Sequence, residues 1–251
     1  MDAGDVVFRF TLTQKEKTMK FSAAFCLSLF LLTAAALPAA ENDAPLTEGD
    51  HIGAVDLLRG ATLDDFDFFL LDGGQRDDVF SLNGGVLTIS GTPFGWLGTK
   101  NDYHNFVVET EFRLLEPEGE TNSGFLVRMG EQKPTKFLPH CVEIGIYDKE
   151  TGTLFGFHDF RIMGEKERMV RYENHEDAGN CDEIDLIRDP ITDLGEWNKM
   201  KITCLANVIM VELNGVPVNW GVMAEDYAGK IAFQSEGAKI EFRNAFLTEM
   251  P

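Results

Sequence analysis

The sequence predicts an all-β fold, an antiparallel sandwich or jelly roll. Runs of strand length alternate apolar and polar residues, Gly and Asn punctuate them, and a sustained 3.6-residue apolar period is almost absent. In chain order, Asn83-Gly84-Gly85 is a hairpin signal that feeds the strand "GVLTISG". "NFVVETEFRLL" sets Phe106, Val108, Thr110, Phe112 and Leu114 on one face, against Val107, Glu109, Glu111 and Arg113. "SGFLVRM" and "CVEIGIYD" follow, then "MKITCLANVIMVELNGVPV" with a second Asn-Gly turn. "IAFQSEGAKIEFRN" closes the series as two strands around a Ser-Glu-Gly turn, with Ile231, Phe233, Ile240 and Phe242 inward. Between Lys149 and Gly195 the chain is charged and poor in strand pattern; a helical turn is expected around Glu165–Tyr172.

Domain organisation is simple. Residues 1–40 read as an upstream extension followed by a secretory signal from Met19, with a basic start, an apolar middle and the small-residue end "ALPAA". Residues 41–251 read as a single domain, which places the protein outside the cell or in the periplasm with no retained membrane span. The chain of 251 residues carries a formal net charge of −20. Such acidity repels nucleic acid and anionic membranes and favours a neutral or cationic substrate. Cys204 alternates into an apolar face and reads as a core thiol, while Cys141 and Cys181 are the candidate pair for an exported disulfide. None of these has zinc-site spacing. Asp64, Asp65, Asp77 and Asp78 are loose candidates for a structural calcium ion, though no EF-hand loop is present.

Polar residues fall opposite the hydrophobes on several strands. Arg128 is in phase with Gly124 and Leu126, Glu143 with Gly145 and Tyr147, and Gln234 with Glu236. Glycines beside Arg128 and Glu143 suit close approach of a ligand to the backbone. The same pattern also fits a solvated face with cross-strand ion pairs such as Glu111 to Arg128. Clustered carboxylates suit proton transfer at a sugar, His158 and His140 are further proton carriers, and Trp96, Phe94 and Tyr103 can stack on a sugar face or pack the core.

Seven blocks occur in order: "GWLGTKNDYHNFVVETEFRL", "TNSGFLVRM", "CVEIGIYD", "LFGF", "GEWNKMKITC", "VELNGVPVN" and "GKIAFQSEGAKIEFRN". Together they resemble the secreted bacterial 3-keto-disaccharide hydrolase domain over about residues 52–249. The resemblance implies a concanavalin-like jelly-roll sandwich of two antiparallel sheets. It also implies an enzyme that cleaves glycosides bearing a ketone at C3, by general acid/base elimination, hydration or both. The ketone would come from a separate glycoside 3-dehydrogenase, since no dinucleotide-binding glycine loop is present. Carried over by motif, Glu143 is the expected base or acid, Arg128 the enolate stabiliser and Glu111 its partner or a second carboxylate, with His158 as a further acid. Asn122, Gln234, Glu236, Tyr147 and Trp96 are the expected substrate contacts. No cofactor is expected. The chain departs from the family in having Glu143-Ile144-Gly145 where Glu-x-Gln is common. The rival readings are a non-catalytic, lectin-like module and a conventional glycoside hydrolase.

Overall fold

The computed structural model describes residues 44–116, 121–130, 137–188 and 195–251. The expected signal segment, residues 1–40, lies outside them. Sixteen strands occur among the described residues: β1 (Val55–Asp56), β2 (Phe66–Leu70), β3 (Phe80–Asn83), β4 (Val86–Ile89), β5 (Gly95–Thr99), β6 (Phe106–Leu114), β7 (Ser123–Met129), β8 (Val142–Ile146), β9 (Leu154–Gly156), β10 (Met169–His175), β11 (Gly179–Ile184), β12 (Asn198–Leu205), β13 (Val208–Leu213), β14 (Val216–Val222), β15 (Lys230–Ser235) and β16 (Ile240–Glu249).

They form two antiparallel sheets, as the alternating runs require. The first runs β14-β13-β12-β6-β16-β4-β3, with β1 on β16, and the second runs β10-β11-β9-β8-β7-β15-β5-β2. The inward residues of both meet in one core. Phe125 of β7 lies edge-on to Phe233 of β15 at 5.2 Å, and Phe233 meets Phe242 of β16 at 5.0 Å. Each such ring contributes roughly 1.5–3 kcal/mol by leaving water. Asn214 and Gly215 take φ of 49° and 76° between β13 and β14, the left-handed pair that a two-residue hairpin turn demands.

The charged stretch after Lys149 differs from expectation. It supplies β9 and the β10–β11 hairpin to the second sheet, and among its described residues the helical piece is the single turn Lys166–Arg168. β10 is exposed or half-buried along its whole length, so neither face selects for hydrophobes and the alternation that marks a strand is missing.

The three described cysteines are free and buried, so the expected disulfide is not formed. Cys141 immediately precedes β8 and Cys181 lies on β11, with β9 between those strands, so the two are two strand intervals apart. That separation, ~10 Å between backbones, exceeds the reach of a disulfide. Among the described residues no helix is long and apolar enough to cross a membrane.

Candidate functional site

The second sheet is apolar on both sides. Its inward face joins the main core, while Trp96, Leu126, Met129, Phe137, Phe155 and Phe157 belong to a second cluster on its outer face. Polar groups set into this second cluster are therefore desolvated by sheet and cover together.

Glu143, on β8, is one of them and is 1% exposed. The Gln234 amide Nε2 donates to its Oε2 at 2.8 Å, and the Tyr147 hydroxyl is a second donor. Burial pushes the Glu143 carboxyl up to about 8; the two neutral donors pull the other way without cancelling it. Glycines make this arrangement fit. A Cβ on Gly124 would stand 2.3 Å from Gln234 Oε1 and 2.7 Å from Glu143 Cγ, and one on Gly145 would meet the Tyr147 ring at 2.3 Å. The bare backbone of Gly124 thus lets the carboxyl and amide lie flat on the sheet. Gln234 is fully buried, and no donor among the described residues reaches its Oε1.

A second carboxyl shares the face. Glu183 of β11 pairs with Phe155 of β9, which pairs in turn with Glu143 of β8, so the three form one row. The Tyr172 hydroxyl donates to Glu183 Oε2 at 2.6 Å. Burial pushes Glu183 up to about 7, with Asp185 and Glu150 adding like charge and the Tyr172 bond opposing. The half-buried Tyr147 hydroxyl is itself pushed well up, by burial and by the carboxylates of Glu143, Glu236, Glu183 and Glu150. Sequence reading missed Glu183 and Tyr172, because they lie in the stretch that lacked a strand signal.

The expected site residues divide. Glu143, Tyr147 and Gln234 come together on this face, and Glu236 is near enough for its charge to act on the Tyr147 hydroxyl. Trp96 is paired with Gln234 in register and stacks on Phe69 at 6.2 Å. Asn122 stands beside the turn that carries Glu236, its carbonyl accepting from the Ala238 N–H.

Arg128 does not join them. Its φ of 51° and a register shift against β15 form a bulge, so Met129 takes the outer position and Arg128 turns away. Its guanidinium donates to the carbonyls of Glu225, Tyr227 and Ala206 at 2.8, 3.2 and 2.5 Å, clamping loops together. Glu111 lies on the other sheet. It accepts two bonds from Arg243 at 3.1 and 3.2 Å, one from Asn244 at 2.6 Å and one from the Leu46 N–H at 3.3 Å. A Glu111–Arg128–Glu143 constellation is thus ruled out. His158 has φ of 57°, and its Nε2 donates to the Leu138 carbonyl at 2.8 Å, a loop strut and not a free proton carrier.

Three of the four aspartates considered for calcium bond other groups. Asp64 and Asp77 both accept from Arg76 at 2.7 Å, and Asp65 caps the turn at Thr62. Among the described residues no group of three or more His, Cys, Asp or Glu side chains is placed to hold a metal ion.

Residues 53–248 match the sequence profile of the 3-keto-alpha-glucoside-1,2-lyase-like domain. Among solved structures, the chain is similar to a candidate glycosyl hydrolase from Parabacteroides distasonis, at 19% identity and a TM-score of 0.55, covering 83% of this chain and 99% of that one. A CBM66 carbohydrate-binding module from Bacillus subtilis (11% identity, 71% and 92% covered) and a Bacillus licheniformis β-glucanase (11%, 77% and 96%) both give a TM-score of 0.46. These likenesses speak to the fold alone. No curated protein matches the chain.

Proposed function

Since this chain belongs to the 3-keto-alpha-glucoside-1,2-lyase-like family, we infer that it cleaves 3-keto-glycosides by acid/base chemistry at Glu143. The observation that carries the reading is a buried carboxyl, pushed up to about 8, whose hydrogen-bond donors are the neutral groups of Gln234 and Tyr147. Paired with a guanidinium it would be a fixed anion. Held this way, it can bind and release a proton near neutral pH.

The substrate's own ketone makes the chemistry accessible. A C3 carbonyl acidifies the proton on C2, so a carboxylate can remove it and leave an enolate. Collapse of the enolate expels the substituent at C1, and water added later across the C1–C2 double bond completes a net hydrolysis. With Arg128 elsewhere, neutral O–H and N–H donors would meet the enolate oxygen. A substrate hydroxyl donating to Gln234 Oε1 would satisfy an oxygen whose isolation costs about 1–3 kcal/mol. The ketone is made by a separate dehydrogenase, and the protein acts after export.

The test compares a 3-keto-disaccharide with its unoxidised parent while released sugar is followed. Cleavage of the keto form alone is expected. Cleavage of the parent would instead indicate a conventional glycosidase, and binding without turnover a lectin-like module.

A further inference from the structure

Resting on the 3-keto-glycoside reading, we propose that Glu183, held by Tyr172, is the site's second acid/base. The sugar ring then lies across Phe155, with Glu143 serving C2 and Glu183 serving the oxygen on C1.

Register carries the argument. Glu143, Phe155 and Glu183 face one another on consecutive strands, and paired residues of a sheet share a face. Two strand intervals, ~10 Å of backbone, separate the two glutamates. The two carboxyls thus flank the aromatic ring of Phe155, which is itself 7% exposed. Phe155 belongs to the outer cluster, and Tyr147 stands edge-on to it at 6.5 Å. Glu183 is 7% exposed and fixed by a 2.6 Å bond from the Tyr172 hydroxyl, as Glu143 is fixed by Gln234. The carboxylates of Glu143 and Glu183 both push the Tyr147 hydroxyl up, so both lie within electrostatic reach of it. A separate sign of a ligand, beside Gly124 on the side of Glu143 away from Phe155, is Gln234 Oε1, wholly buried and without a donor among the described residues.

Two carboxyls sharing one proton complete the cycle. It starts from the less populated arrangement, Glu143 ionised and Glu183 protonated, since Glu143 at about 8 holds a proton more tightly than Glu183 at about 7. In elimination, the Glu143 carboxylate takes the C2 proton, and the C2–H electron pair forms the C2=C3 enolate. The enolate reforms the C3 carbonyl and the C1=C2 double bond while the C1–O bond breaks. Glu183 gives its proton to the departing oxygen. In hydration, the Glu183 carboxylate takes a proton from water as the hydroxyl oxygen bonds C1, and Glu143 returns a proton to C2. Both groups end as they began, and no oxidant or reductant is consumed.

The experiment uses the full mature chain and two 3-keto-glucosides, one with an alkyl and one with a nitrophenyl aglycone. An alkoxide needs a proton to leave and a nitrophenolate does not. Glu183→Gln is expected to slow the alkyl substrate by about 10²–10⁴-fold, and the nitrophenyl substrate by no more than about tenfold. Because the two rates come from one preparation, their ratio is independent of the fraction folded. Tyr172→Phe should shift the same ratio in the same direction by a smaller factor. If Glu183→Gln leaves both rates unchanged, or lowers both equally, Glu183 is not the leaving-group acid although the functional reading stands. If the wild-type protein cleaves neither keto-glycoside, that reading fails and the proposal fails with it.

Discussion

Glu111 and Glu143 sit on opposite sheets, and both are buried in mid-strand. Their surroundings separate them. Glu111 accepts a two-pronged bond from Arg243, an amide bond from Asn244 and a backbone N–H. Arg243 also lies over Trp197 at 4.0 Å, with Arg113 stacked near the same ring at 4.6 Å and bonded to Glu241. Among the described residues the donors to Glu143 are an amide and a phenol. A buried carboxylate facing a guanidinium keeps its charge and ties strands together. One facing neutral donors stays close to the pH at which it can trade a proton. Partner chemistry, more than burial, distinguishes the carboxyl bound by a guanidinium from the one proposed to trade a proton.

The sharpest way to break that contrast is to neutralise each carboxyl. Glu143→Gln should lower turnover of a 3-keto-glycoside by about 10²–10⁴-fold while the protein stays folded. Its effect on stability has a definite sign. The folded-state value, about 8, lies above the ordinary 4.5, so the contribution of Glu143 is full below pH 4.5 and is lost as pH rises through 8. Glu183 acts in the same direction, with its loss complete near 7. Thermal melts of the wild-type protein should therefore fall between pH 5 and 9, and Glu143→Gln should flatten that fall. Glu111→Ala should do the reverse, costing about 3 kcal/mol while each folded molecule keeps its rate. Melting curves and rates measured on the same samples decide. A Glu111 variant that folds well but has lost activity would end the distinction.

A smaller effect is expected from Gly124→Ala. The new Cβ would fall on Gln234 Oε1 and Glu143 Cγ, both movable side-chain atoms. The fold should lose about 1–3 kcal/mol. Turnover should fall roughly tenfold or more, because displacing a positioned acid/base by an ångström is costly in rate. An unchanged rate in a folded variant would show that the flat Gln234–Glu143 pair is not needed.

The strands were readable because their two faces differ. "NFVVETEFRLL" and "SGFLVRM" alternate against one core and appear as β6 and β7. The Glu143–Gln234 association was partly readable, from alternation beside glycines. The fate of Arg128 was not. A single left-handed residue inserts a bulge and reverses which face the next side chains take, and composition carries no mark of it. Asn244 does the same on β16, at φ of 53°, swinging its amide onto Glu111. Glu183 was hidden for a different reason. Its neighbour β10 buries no face, so the hairpin carried no periodicity to reveal that Glu183 itself is buried.

The mildest change tests the mechanism most finely. Tyr147→Phe removes one donor from the Glu143 carboxylate and leaves its burial and its Gln234 bond in place. A donor to the charged form lowers a carboxyl's affinity for its proton, so losing it should raise Glu143 further above 8. One neutral hydrogen bond contributes about 1 kcal/mol, and 1.36 kcal/mol is one pH unit. The limb of the pH–rate profile that reports Glu143 should therefore move alkaline by about one unit or less. The rate at its optimum should change only a few-fold. A limb that stays fixed would mean that the phenol does not bond the ionised carboxylate during turnover. A limb that moves to lower pH would mean that the Tyr147 hydroxyl favours the protonated form, and the proton would then have to be assigned elsewhere.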